Sequence, residues 1–230
     1  MIDFHSHILP KLDDGSASLE MSIAMLRMEA EQGITHVVAT PHFYANYDKP
    51  QEFLARRDRA EEALRREIEK HGDLPGLTVG TEVRYFRGMS DSELIPRLTI
   101  GGKSYIMIEM PAPPWTPSMY EELRQIYKEW NIVPIIAHVD RYIAPLRTFS
   151  IPERLADCPV LVQANADFFV KRPSAAIRML RKEQIHLLGS DCHNLTSRKP
   201  NLRPALDSIE KRLGKEMVDR ICRQGLQILD

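Results

Sequence analysis

Cysteine is scarce in this chain: Cys158, Cys192 and Cys222 are the only three in 230 residues, odd in number and far apart. That excludes a disulfide framework and matches no zinc-knuckle spacing, as expected of a reduced, cytoplasmic protein. Long apolar runs are missing too. None approaches the roughly 18 residues of a membrane span, so the chain is expected not to be membrane-embedded. No basic segment followed by an apolar stretch marks a signal peptide at the start. A basic excess is also absent, with 31 Lys and Arg against 32 Asp and Glu, which argues against a nucleic-acid partner. No linker, repeat or low-complexity stretch intervenes, so residues 1–230 read as one domain with room for one sizeable core.

What is present is alternation. Seven short β-branched or apolar runs occur: "MIDFHSH", "GITHVVATPH", "GLTVGTEVR", "SYIMIEMP", "NIVPIIAHVD", "CPVLVQAN" and "QIHLLGSDCH". Several are apolar on both faces, as parallel strands covered by helices are. Between them lie segments with helical period. Ser18 is placed to cap "LEMSIAMLRMEAEQG" and Gly33 to end it, while "PQEFLARRDRAEEALRREIEKHG" is a long amphipathic helix ending at Gly72. "TPSMYEELRQIYKEWN", "RPSAAIRMLRKEQ" and "RPALDSIEKRLG" each begin near a proline or serine. The repeated βα units predict an α/β fold, a single-domain (β/α)7 barrel, with an open doubly wound sheet as the alternative.

In such folds chemistry gathers at the C-terminal ends of the strands. Nearly every strand here ends in a potential metal ligand: His5 with His7, His42, Glu82, Glu109, His138, Gln163 with Asn165, and Asp191 with His193. The i, i+2 spacing of His5/His7 and of Asp191/His193 puts each pair on one strand face. Asp13 and Asp14 follow in the first loop. Three other histidines form an internal contrast: His36 and His186 begin their strands, and His71 ends a surface helix. For these an ordinary surface or capping role is expected. Clustered carboxylates without a cation would repel one another and titrate upward, and the donors outnumber what one tetrahedral ion takes. A multinuclear metal centre is therefore expected. Imidazole with carboxylate and no thiolate suits Zn, Mn or Fe and disfavours Cu(I) or iron–sulfur chemistry.

The motifs "DFHSHILPKLDDGS", "ATPHF", "GTEVR", "IEMP", "AHVDRY", "LVQAN" and "GSDCHN" follow one another along nearly the whole chain. Together they resemble the polymerase and histidinol phosphatase superfamily, and more closely its bacterial protein-tyrosine phosphatase branch, linked to capsule and exopolysaccharide synthesis. The resemblance implies a distorted seven-stranded barrel holding three divalent metal ions. Manganese is expected, with iron, zinc or cobalt as alternatives. Carried over by position, the resemblance implies His5, His7 and Asp191 on one ion. Glu82 would bridge to a second ion, completed by Glu109 and His138, and Asp14, His42 and His193 would hold a third. Asp13 competes with Asp14 for that last role. The implied substrate is a phosphotyrosine protein, a tyrosine autokinase of polysaccharide export.

Clustered divalent ions suit phosphate ester hydrolysis because they activate water near neutral pH and stabilise charge on the phosphoryl oxygens. Arg141, in "HVDRY", and Arg198, in the loop after His193, are placed for bidentate phosphate contacts. By resemblance both match phosphate-binding arginines; a surface salt bridge is the ordinary alternative. A phenolate leaving group, with a pKa of about 10, asks little of a general acid, and Asp191, His193 or a water at the centre can supply it. Phe43, Tyr44, Tyr47 and Trp115 read equally as pocket walls or as loop anchors. "CHNLTSR" gives Cys192 and Arg198 the spacing of thiol-based tyrosine phosphatases. Against that stand a loop without glycine and the strand alternation, which aims Cys192 away from the face of Asp191 and His193. Small-molecule phosphatase activity, as on histidinol phosphate, and a metal-dependent amidohydrolase are the competing readings. The amidohydrolase reading lacks a strand-end lysine where Glu82 stands.

Overall fold

Nine strands, eight α-helices and four short 3-10 helices are found among the described residues, 1–143 and 150–230 of this computed structural model. The first half runs β1 (Ile2–Ser6), α1 (Leu19–Glu31), β2 (His36–Ala39), β3 (His42–Phe43), α2 (Pro50–Lys70), β4 (Gly76–Val79), β5 (Glu82–Arg84) and β6 (Tyr105–Glu109). The second runs α3 (Pro117–Trp130), β7 (Val133–Ile136), α4 (Ser150–Ala156), β8 (Leu161–Asn165), α5 (Ala166–Lys171), α6 (Pro173–Arg181), β9 (Leu187–Gly189), α7 (Leu202–Leu213) and α8 (Lys215–Leu229). Ser18 caps α1, its hydroxyl accepting from the Met21 N–H at 3.2 Å. Helices α2, α3 and α6 open with a proline in the first turn, where a missing N–H leaves no bond unmade.

Every strand pairing is parallel, in the orders β1-β2-β4 and β3-β5-β6-β7-β8-β9. These are one curled wall. β2 and β3 are a single stave broken at Thr40–Pro41, and β4 and β5 a second broken at Gly80–Thr81. Pro41 has no N–H to give to a ladder, which accounts for the first break. Across the breaks Thr40 N–H donates to the Ser6 carbonyl at 2.8 Å and Glu82 N–H to the Pro41 carbonyl at 3.0 Å. The curl closes where Asp191 N–H donates to the His5 carbonyl at 2.7 Å and His7 N–H to that of Cys192 at 2.9 Å. Nine strands thus make seven staves, the distorted barrel that the sequence predicts.

Ile2, Phe4, Val38, Met107, Ile135 and Leu187 fill the interior, and Ile228 of α8 packs against them. A Cβ on Gly225 would lie 2.6 Å from the Phe4 ring, so glycine is what lets α8 seat there. The register of β1 shifts between Asp3 and Ser6. As a result the neighbours Phe4 and His5 both face inward, while Asp3 turns to Ser190 and, across the wall, to Glu29 of α1.

Candidate active site

Glu82 stands at the centre, at the first residue after the second stave break, and is fully buried. Its Oε2 is surrounded by His42 Nδ1 at 3.0 Å, His5 Nε2 at 3.1 Å and His7 Nε2 at 3.2 Å. Its Oε1 lies 2.8 Å from His138 Nε2. His5 Nε2 and His7 Nε2 are 3.2 Å apart, and Asp191 Oδ1 is 3.6 and 3.4 Å from them. Asp14 Oδ1, on an exposed side chain, lies 3.5 Å from both His42 Nε2 and His193 Nε2. Glu109 Oε1 is 3.7 Å from His138 Nε2.

The donor set fits metal on observations of its own. Two ligand atoms about 2.1 Å from one tetrahedral ion sit roughly 3.4 Å apart, close to these separations. Glu82 Oε2, His42 Nδ1 and His193 Nε2 are buried atoms without a hydrogen-bond partner, although their neighbours are close. They converge on shared points rather than on one another. Three groups of donors lie within 4.8 Å of each other: His5, His7 and Glu82; His42, Glu82 and Glu109; and His7, Asp14, His42 and His193.

The electrostatics point the same way. Burial opposes charge on Glu82 and Asp191, yet His5 and its neighbours hold both carboxyls well below the usual range. Burial likewise lowers His7, but Asp13, Asp191 and Glu82 win and raise it well above the ordinary imidazole value. Positive charge is in demand at this spot, whether as a proton or as a divalent ion. His193 is pushed down to about 4 by burial and by His7, so its imidazole is neutral and free to ligate near pH 7.

Two of the site residues are held in the left-handed region that non-glycine residues seldom adopt: His138 at φ 33° and Asp191 at φ 54°. Strain of about 1–3 kcal/mol each is typical of such positions and clusters at functional sites. Gly189 lets β9 approach closely, since a Cβ there would lie 2.4 Å from that of His5.

The structure brings His5, His7, Asp14, His42, Glu82, Glu109, His138, Asp191 and His193 to one rim. Asp13 stands behind it, accepting from His7 Nδ1 at 2.7 Å and from the His42 N–H at 2.9 Å. Gln163 and Asn165 are braces rather than donors to the cluster. Gln163 Oε1 meets His5 Nδ1 at 3.2 Å and accepts the His138 N–H at 2.6 Å, and Asn165 Nδ2 donates to Asp191 Oδ2 at 3.0 Å. Arg141 and Arg198 converge on Asp191 from two sides, Arg141 at Oδ2 and Arg198 at Oδ1, the latter at 2.8 Å. Arg84 was not singled out by spacing, yet its guanidinium lies 2.9 Å from Glu109 Oε1.

Among the aromatics, Phe43 is core, packed on Phe53, and Trp115 is a buried anchor donating to the Pro111 carbonyl at 2.8 Å. Tyr44 lies against the cluster, 5.3 Å from the His42 ring, its hydroxyl pushed up to about 12 by burial and by Glu109, and Tyr142 lies 5.6 Å from the His138 ring. Tyr47 is exposed. Cys192 is buried on the outer face with Asp3 and Glu29, and burial drives its thiol well above the ordinary range. His36 Nε2 pairs with Thr78 Oγ1 at 2.7 Å and His186 Nδ1 accepts from the Val162 N–H at 3.0 Å, both at strand beginnings away from the site.

Fold and site together define a (β/α) barrel with a histidine–carboxylate centre on the C-terminal rim of its staves. Residues 1–229 match the family model described as capsular polysaccharide synthesis, CpsB/CapC, and the chain belongs to this family. It is 32% identical to the tyrosine-protein phosphatase YwqE of Bacillus subtilis over 94% of this chain and 87% of that protein. It is 29% identical to the tyrosine-protein phosphatase CpsB of Streptococcus pneumoniae, over 93% and 91%. A crystal structure from the work on YwqE and CpsB, described as metal-dependent tyrosine phosphatases, superposes with a TM-score of 0.85 at 26% identity, covering 97% of this chain and 92% of the other. The lactonase Lmo2620 of Listeria monocytogenes shares the fold alone, at TM-score 0.52 and 14% identity.

Proposed function

We propose that this chain is a metal-dependent protein-tyrosine phosphatase of capsular or exopolysaccharide synthesis, acting in the cytoplasm as one domain over residues 1–230. The observation that carries the reading is the pair of guanidiniums, Arg141 and Arg198, converging beside a buried cluster of histidines and carboxylates. A metal store or a binding module has no need of two arginines there; a phosphate ester does. The relatives' names supply the ester, phosphotyrosine, and the expected protein substrate is a tyrosine autokinase.

His5, His7 and Asp191 with Glu82, then Glu109 and His138, then Asp14, His42 and His193 would hold three divalent ions, manganese by preference over iron, zinc or cobalt. Bound there, such ions supply an activated water and neutralise charge on the phosphoryl group. The chain's own residues do the rest. Arg141 and Arg198 clamp the outer phosphoryl oxygens and orient the ester. Gln163 and Asn165 fix the rings and carboxylate behind them. Asp191, ionised, and His193, neutral at its ligating nitrogen, are acceptors at this point, so the departing phenolate, whose acid has a pKa of about 10, takes its proton from water.

The test is a phosphatase assay on phosphotyrosine peptide, phosphoserine peptide and histidinol phosphate, with Mn, Fe, Co or Zn supplied and metal content measured. Phosphotyrosine turnover that needs metal, with about three ions per chain, is the expected result. Preference for histidinol phosphate, or one ion or fewer at full activity, would overturn the reading.

A further inference from the structure

Beside the donor cluster opens a cavity of about 590 Å³, within the roughly 300–1,000 Å³ of small-ligand pockets and with more room than a phosphoryl group fills. One wall is α5 with Asp167, Phe168 and Lys171, followed by Arg172; the other is the loop carrying Thr196, Arg198 and Lys199. Asn201 Nδ2 donates to Asp167 Oδ1 at 2.7 Å and ties the two walls together. Arg141 and Asp191 lie at the inner end.

Charge in this cavity is unbalanced. Arg141, Lys171, Arg172, Arg198 and Lys199 face three carboxylates, Asp140, Asp167 and Asp191. Each carboxylate is already met: Asp191 by the two arginines, Asp167 by Lys171 and Asn201, and Asp140 by the Asn165 N–H. Among the described residues, Arg172 and Lys199 are left with no carboxylate partner. The Arg172 guanidinium stands 5.9 Å from the centre of the Phe168 ring, at the edge of cation–π reach, and among the described residues its N–H donors meet no acceptor. The cavity therefore offers anion-binding capacity at two places, an inner one beside the cluster and an outer one at Arg172 and Lys199.

We propose that the outer end binds an acidic side chain flanking the phosphotyrosine in a protein substrate, so that Arg172 and Lys199 set specificity for acidic sequences. This rests on the phosphatase reading above. A phosphotyrosine in the inner end leaves the peptide backbone to run along the groove, where a neighbouring Glu or Asp meets the two unpaired cations. The attraction also steers encounter, and it weakens with salt.

The experiment compares kcat/KM of the metal-loaded protein for two phosphotyrosine peptides that differ only in glutamate against glutamine on both sides of the phosphotyrosine. A preference for the acidic peptide of roughly three- to ten-fold at low salt, carried mainly by KM, is expected. In R172A/K199A the ratio of the two peptides should fall to about one, and in R172E/K199E below one. A wild-type ratio of one, or a preference that survives in R172A/K199A, overturns the inference while the phosphatase reading stands. Hydrolysis of neither peptide by the metal-loaded wild type overturns the phosphatase reading itself and the inference with it.

Discussion

His7 and Asp13 are joined through Nδ1 and Oδ2 at 2.7 Å, while the other nitrogen of the same ring faces Glu82 and Asp191. Asp13 thereby fixes which His7 nitrogen carries the proton and which is presented to the cluster. Asp13→Ala is expected to weaken metal binding or turnover by about 10–100-fold, and Asp13→Asn, which still offers an acceptor oxygen, by less. Titration of Mn²⁺ into each variant, paired with activity, checks this. Equal behaviour of Asp13→Ala and wild type would remove Asp13 from the site.

The two rims of the barrel should answer differently to alanine. His5→Ala and Glu82→Ala are expected to abolish phosphotyrosine turnover, because each leaves buried charges and donors uncompensated. His36→Ala and His186→Ala remove one hydrogen bond each at strand beginnings and are expected to stay within about three-fold of wild type. Steady-state rates at saturating metal decide the matter; similar losses at both rims would contradict the assignment of chemistry to one end.

Cys192 and Arg198 share a spacing but not a face. The thiol is buried against Asp3 and Glu29, so Cys192→Ser is expected to retain most activity. Arg198→Ala is expected to raise KM or lower kcat by about 10–100-fold, the range of one charge-assisted contact. EDTA should abolish turnover in wild type and in Cys192→Ser alike. An inactive Cys192→Ser protein with normal metal content and activity indifferent to EDTA would point to thiol chemistry instead.

Behind the wall, Glu29 is fully buried and faces Asp3. Burial first, and then the Asp3 charge, raise its carboxyl well above the usual range. The folded chain therefore binds a proton that the unfolded chain has released above about pH 4.3. Stability from this group is full below that value and is lost as pH rises through the raised one. Glu29→Gln keeps an amide donor toward Asp3 and has nothing to ionise. Its stability relative to wild type should rise as pH climbs above about 4.3 toward the raised value, by about 1.4 kcal/mol per pH unit of that interval, measured by urea denaturation. A difference independent of pH would refute the assignment.

The donors at the rim were legible because each ends an apolar run, and period two alone places His5 with His7. The same period puts Asp3 on their face, and the register shift between Asp3 and Ser6 defeats it. The breaks at Thr40–Pro41 and Gly80–Thr81 fall at a proline and a glycine that do punctuate the apolar runs; reading one strand across each came from taking His42 and Glu82, just beyond them, as strand ends. Helix α8 was missed although Val218, Ile221 and Ile228 are buried along it. Gly225 speaks against a helix by propensity, and its reason, contact with Phe4, exists only in the folded chain. Helix α5 has six residues, too few to show a period. Gln163 and Asn165 looked like ligands because a strand-end amide offers the same oxygen to an ion as to a neighbouring ring; only packing separates the two uses.

The seam of the barrel has a consequence for how the protein comes into being. His5 and His7 arrive with the first strand, Asp191 and His193 just past the last, and the hydrogen bonds between those two segments close the wall. During synthesis the early histidines wait, without half of their neighbours, until residues 191–193 have left the ribosome. Contacts of such long sequence separation form late and slowly. Metal capture at full affinity then belongs to the last stage of maturation, and an unfinished or internally truncated chain carries only a weak, partial chelate.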